Sequence, residues 1–181
     1  MVKPVNVLFL DLDGPVFPDR YIRCCPEQSA IPQSLKNIEG ITYWKMDPMS
    51  VSMLNRLYDI HKFKTVISST WRRFVNKEQM QALFAENDLE LQLHDEWMTP
   101  ISSYHCRHGE IKTWLDMNEV NDYMAIDDNE SGHHLDIIMP ADKIVMVNIE
   151  FGISTDNFMK MLRIVSKWEG IEPKKIIRNL W

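Results

Sequence analysis

Val5 to Leu10 (VNVLFL) is a near-continuous apolar run that ends in carboxylates, as expected of a strand buried on both faces of a parallel sheet. Asp47-Pro48 then supplies a helix cap and a first-turn proline, and Met49, Val51, Met53, Leu54, Leu57 and Tyr58 follow at helical spacing. This predicts a helix from Pro48 to about His61. Phe63 to Ser69 (FKTVISS) reads as a second strand, and Asn76 as the cap of a helix carrying Met80, Leu83 and Phe84. A third, weaker strand is expected over residues 89–93 and a helix over 109–117. A fourth strand over 123–126 runs into Asp127-Asp128, a fifth covers 143–147, and an amphipathic helix over 155–168 is built on Phe158, Met161, Leu162 and Val165.

Strand and helix alternate, which implies an open α/β domain, Rossmann-like, with a mostly parallel sheet and helices on both faces. A chain of 181 residues fits one such domain. Residues 15–46 hold Pro15, Pro18, Pro26 and Pro32 with little periodicity, so they read as a small, loop-rich, cap-like insertion after the first strand.

Composition narrows the classes further. Hydrophobic residues at 45% and charged residues at 25% exclude a disordered or fibrous chain. No apolar run approaches the roughly 20 residues that cross a bilayer, so no membrane partner is expected. The N-terminus lacks the pattern of a secretory signal, and Cys24, Cys25 and Cys106 cannot all pair; both point to free thiols and a reducing cytoplasm. None of the six glycines forms a dinucleotide-binding or nucleoside-triphosphate loop, so any phosphate must be held another way. Basic residues gather towards the C-terminus, with residues 168–181 forming a basic tail, and the rest is more acidic than the overall −6. An acidic body disfavours nonspecific duplex binding.

Ligands of open α/β sheets sit beyond the carboxyl ends of the strands. Three expected strands end there in reactive side chains: Asp11 and Asp13, then Ser68, Ser69 and Thr70, then Asp127 and Asp128. Carboxylates gathered at one edge repel one another unless protons or a cation neutralise them, and oxygen-only ligands favour a hard ion such as Mg²⁺. An aspartate can also attack phosphorus and carry an aspartyl-phosphate. The D-x-D spacing puts two carboxylates on one side of the strand, and Gly14 begins a turn that can swing the second towards a leaving group. Cys24, Cys25, His105, Cys106, His108, His133 and His134 lack the spacings of structural zinc sites.

Asp11-Leu12-Asp13-Gly14, a strand ending in serine and threonine, a following basic residue and Ile126-Asp127-Asp128 resemble the four motifs of the haloacid dehalogenase (HAD) superfamily, over about residues 5–165. Leu54-Asn55-Arg56-Leu57, Ser68-Ser69-Thr70-Trp71-Arg72, Thr99-Pro100 and Arg107-His108-Gly109-Glu110-Ile111 with Trp114-Leu115 resemble more closely the HAD domains of, or related to, RNA-repair proteins.

The resemblance implies a HAD-like fold and a role for each matched position. Asp11 would be nucleophile and metal ligand. Asp13 would be general acid and base, its backbone carbonyl also reaching the metal. Ser69 would donate its hydroxyl to the phosphoryl group, with Ser68 and Thr70 as the alternatives at that strand end, and Asp127 and Asp128 would complete the Mg²⁺ site. The cation beside Asp11 is Arg107 by the R-x-x-E-I pattern or Lys112 by residue type, with Arg107 favoured. Arg72 is a candidate substrate contact, and Trp71 and Trp114 are read as core or groove-wall residues. The expected activity is Mg²⁺-dependent hydrolysis of a phosphomonoester, on a phosphorylated small molecule such as a nucleotide or on a polynucleotide end. Transfer to an acceptor other than water and a catalytically silent binding module are the alternatives. Closure of the site is expected from residues 15–46 or from a second copy of the chain in a homodimer.

Overall fold

The structure, a computed structural model, describes residues 4–26, 44–101, 106–128, 135 and 139–172. Most of the expected cap-like insertion (27–43), the end of the basic tail (173–181), His105, His133 and His134 lie outside the described residues. The elements in chain order are β1 (Val5–Leu10), α1 (Asp19–Cys24), α2 (Pro48–Ile60), β2 (Lys64–Ile67), a 3-10 turn (Thr70–Arg73), α3 (Lys77–Glu86), β3 (Gln92–Met98), α4 (Arg107–Met117), β4 (Val120–Asp127), β5 (Ile144–Met146) and α5 (Thr155–Glu169).

The strands form one sheet in the order β3-β2-β1-β4-β5, and every pairing is parallel. The unbroken apolar run of β1 has the cause expected of it. Leu8 and Leu10 point into one core with residues of α2, α3 and α5, while Val7 and Phe9 point into a second core with Ile111 and Trp114 of α4. Both layers exclude water, and each fully buried aliphatic or aromatic side chain contributes about 1.5–3 kcal/mol. Among the described residues no helix is long and apolar enough to cross a membrane. Cys24, Cys25 and Cys106 form no disulfide.

Local chemistry explains the helix starts. Asp47 caps α2 through the Ser50 backbone N–H, and Asn76 and Ser154 each form reciprocal capping boxes at α3 and α5. Gly170, in the left-handed region, ends α5.

Two elements differ from the sequence expectation. Helix α1 falls within the proline-rich stretch; Pro18 is its N-cap, a position that needs no backbone N–H. The third strand lies at 92–98 rather than 89–93. Leu89 and Leu91 are buried as a lead-in to the core, whereas β3 is an edge strand whose register jumps between Thr65↔Leu93 and Ile67↔Met98, which erases its alternation.

Candidate active site

Strand register places the site. Leu10 is level with Ile67 on one side and with Ile126 on the other, so the next residues, Asp11, Ser68 and Asp127, stand side by side at the carboxyl edge. The ladder continues one step past the strands: the backbone N–H groups of Asp11 and Ser68 donate to Ile126 O and Leu10 O, both at 3.0 Å. Asp11 and Asp127 are therefore fixed at their backbones and buried, at 4% and 1% exposure.

Asp128 completes a cluster. Asp11, Asp127 and Asp128 each offer a carboxylate oxygen, and these atoms lie within 4.8 Å of one another. Gly14 makes the closeness possible. Its φ of +80° turns the chain after Asp13, and a Cβ there would lie 2.8 Å from both Cβ and Oδ2 of Asp128. Backbone bonds from Val16 and Phe17 to Leu12 O and from Gly14 to Phe17 O lock the same turn.

Arg107, the first residue of α4, enters this cluster. Its Nη2 lies 3.6 Å from Asp11 Oδ2 and its Nε 3.3 Å from Asp127 Oδ2, and the side chain is 3% exposed. Its Nη1 is buried and meets no hydrogen-bond acceptor among the described residues. One guanidinium does not balance three carboxylates. Burial, then Asp127, with smaller contributions from Asp13 and Asp128, hold the Asp11 carboxyl well above the ordinary carboxylate range, against the opposing pull of Arg107. A chain with no further cation would keep a proton here. Oxygen-only donors, excess negative charge and close approach fit a hard divalent ion of the Mg²⁺ type, held by Asp11, Asp127 and Asp128.

Asp13 stands apart from that group. The Trp71 indole N–H donates to both its carboxylate oxygens at 3.0 Å. Burial raises the Asp13 pKa, while the Trp71 hydrogen bond and Arg107 act against the rise. At the tip of β2, Ser68 and Ser69 are buried; the Ser69 side chain caps the 3-10 turn by accepting from the Trp71 backbone N–H, and Thr70 is exposed.

Two expected residues stand elsewhere. Lys112 projects to solvent and pairs with Asp116 at 2.7 Å, because it lies on the outer face of α4, while Arg107 opens the helix at the sheet edge. Arg72, expected as a substrate contact, is buried and directs its donors to Thr99 O, Ser68 O, Ser69 O and Glu110 Oε2. Glu110 and the Trp71 contact to Asp13 went unassigned in the sequence reading. For Glu110 a signal existed, since three residues after Arg107 it shares that helix face. Trp114, read as core or groove wall, is core: it is 2% exposed and packs edge-on to Phe9.

An all-parallel sheet whose central strand and neighbour end in a buried acidic cluster, with an arginine set into it, is the arrangement of a HAD-superfamily domain. Residues 7–158 match the family model described as "HAD domain in Swiss Army Knife RNA repair proteins", and the chain belongs to that family. Its general function is accordingly of the HAD phosphatase type. No curated protein and no solved structure matches the chain.

Proposed function

We propose that the chain is a Mg²⁺-dependent phosphomonoesterase that works through an aspartyl-phosphate and acts on a nucleotide or on the terminal phosphate of a nucleic acid. The observation that carries this reading is the position of Asp11. It is buried and fixed by the β1–β4 ladder, within 4.8 Å of the Asp127 and Asp128 oxygens, with Arg107 alongside. Membership of a family found in RNA repair proteins supports a phosphorylated substrate related to nucleic acid.

Asp11 attacks phosphorus while Asp13 gives its proton to the departing ester oxygen; one Asp11 O–P bond forms as the ester P–O bond breaks. Water then attacks the aspartyl-phosphate, Asp13 takes its proton, and Asp11 and inorganic phosphate are released. Arg107 and the Ser69 hydroxyl, with Ser68 beside it, hold the phosphoryl oxygens, where charge stabilisation is the main contribution to the rate. Asp11, Asp127 and Asp128, with the Asp13 backbone carbonyl, would hold Mg²⁺, which would supply the charge that lets substrate phosphate enter an acidic site.

The test is hydrolysis of p-nitrophenyl phosphate with and without Mg²⁺ by wild type and Asp11→Asn. Wild type should turn over only with the metal, and the variant should lose at least about a thousandfold. Equal turnover in both proteins would remove the nucleophile and the reading with it.

A further inference from the structure

The geometry points to Trp71 as a positioning residue for Asp13: its indole N–H, gripping both carboxylate oxygens, holds the proposed acid and base in one orientation. The inference rests on the proposed phosphomonoesterase reading and adds to it a role for a residue that the motif reading gave only a core or groove-wall place.

A donor at 3.0 Å from each oxygen of a carboxylate opposes rotation of the group about its Cβ–Cγ bond in either sense. The indole is itself held from two sides. Phe17, which belongs to the same turn as Asp13 and pairs with it in an isolated bridge, stacks on Trp71 with ring centroids 4.7 Å apart and planes 8° from parallel. Trp44 meets both rings edge-on, at 6.1 Å from Phe17 and 5.6 Å from Trp71. From below, the 3-10 turn carrying Trp71 is anchored by Arg72, which bonds the Ser68 and Ser69 carbonyls and Glu110 of α4. Four chain segments thus converge to set one N–H. Trp71 is only partly buried, so water could satisfy that donor; burial by itself does not call for a carboxylate partner.

The consequence lies in proton transfer. As the ester P–O bond breaks, the Asp13 proton must reach the departing oxygen along one line, and the requirement grows with the basicity of the leaving group. An alkoxide needs the proton; dinitrophenolate leaves without it.

Single-turnover cleavage of an alkyl phosphate and of 2,4-dinitrophenyl phosphate, with saturating Mg²⁺, separates positioning from packing. Asp13→Asn should lose about a hundredfold or more on the alkyl ester and little on the dinitrophenyl ester. Trp71→Phe keeps the stack on Phe17 but removes the N–H. It should lose about tenfold on the alkyl ester, in rate rather than KM, and less than about twofold on the other. Phe17→Leu, which keeps the N–H and loosens its support, should show the same selectivity with a smaller factor. Equal loss on both esters in Trp71→Phe, or no loss on either, would overturn the inference and leave Trp71 a packing residue while the phosphatase reading stands. Cleavage of neither ester by wild type would overturn the phosphatase reading, and the inference with it.

Discussion

Two buried arginines lie a short way apart beneath the carboxyl edge of the sheet, and they are dressed differently. Arg72 places its Nε 3.1 Å from Thr99 O, one terminal nitrogen on the Ser68 and Ser69 carbonyls and the other 2.5 Å from Glu110 Oε2. Arg107 has only long contacts, 3.3 Å to Asp127 and 3.6 Å to Asp11, and an Nη1 with no acceptor among the described residues. A buried guanidinium whose donors are spent on the protein holds the fold, whereas one with a donor unmatched among the described residues is the better candidate to meet the anion of the proposed reaction. Residue type and burial do not separate the two; saturation does.

Substitution by methionine should break the comparison open, since it keeps bulk and removes charge at either place. Arg107→Met, assayed with Mg²⁺, should lose about 10²–10³-fold in phosphatase turnover, the usual cost of removing one charge-stabilising donor. Its unfolding free energy should change much less than that of the other variant. Arg72→Met removes the guanidinium that faces the buried Glu110 carboxylate and should cost about 3–5 kcal/mol in denaturant unfolding. A stable but inactive Arg72→Met beside an unstable but active Arg107→Met would reverse the assignment.

What could be read in the sequence follows the same division. Unbroken apolar runs placed the central strands and the 3.6-residue period placed α2, α3 and α5, because β1 buries two full faces and these helices bury one stripe. The acidic cluster was legible because Asp11 and Asp127-Asp128 each follow an apolar run directly, and the parallel register does the rest. β3 was misplaced because an edge strand with a register jump has no alternation to read. The fate of Arg72 was hidden for a different reason. Four of its five acceptors are backbone carbonyls, of residues 68, 69, 99 and 100, which every sequence possesses and none advertises. The Trp71 contact was hidden too, since it joins the β1 turn to the β2 turn across 58 residues.

The charge imbalance around Arg107 has a thermodynamic signature. The Asp11 pKa is raised on folding above its model-compound value of 3.8, chiefly by burial and by Asp127. The folded state therefore holds this proton more tightly than the unfolded chain does. The stabilisation is complete below about pH 4 and is lost as pH rises towards the folded pKa. In EDTA, Asp11 thus contributes a fall in melting temperature as pH rises above about 4, and Asp127→Asn should flatten that fall. At neutral pH, Mg²⁺ should restore about 2.7 kcal/mol at a hundred times its Kd. Differential scanning fluorimetry with and without EDTA reads both arms. A melting temperature indifferent to Mg²⁺ at pH 7 in wild type would leave the three carboxylates without the cation they are proposed to hold.

A third cation on the same helix sets the lower bound of the comparison. Lys112 follows Arg107 by five residues and carries the same charge, yet its amine stands in solvent, with its side chain 73% exposed, and pairs with Asp116 one turn along. An exposed pair of this kind contributes no more than about 0.5 kcal/mol, and its field at the cluster is screened by water. Lys112→Ala should therefore leave phosphatase turnover within about twofold of wild type and shift unfolding by no more than that amount. Equal losses in Lys112→Ala and Arg107→Met would show that the net charge of α4 matters, wherever it sits. A loss confined to Arg107→Met locates the effect in a guanidinium that is buried, close to two carboxylates and, among the described residues, still holding an unmatched donor.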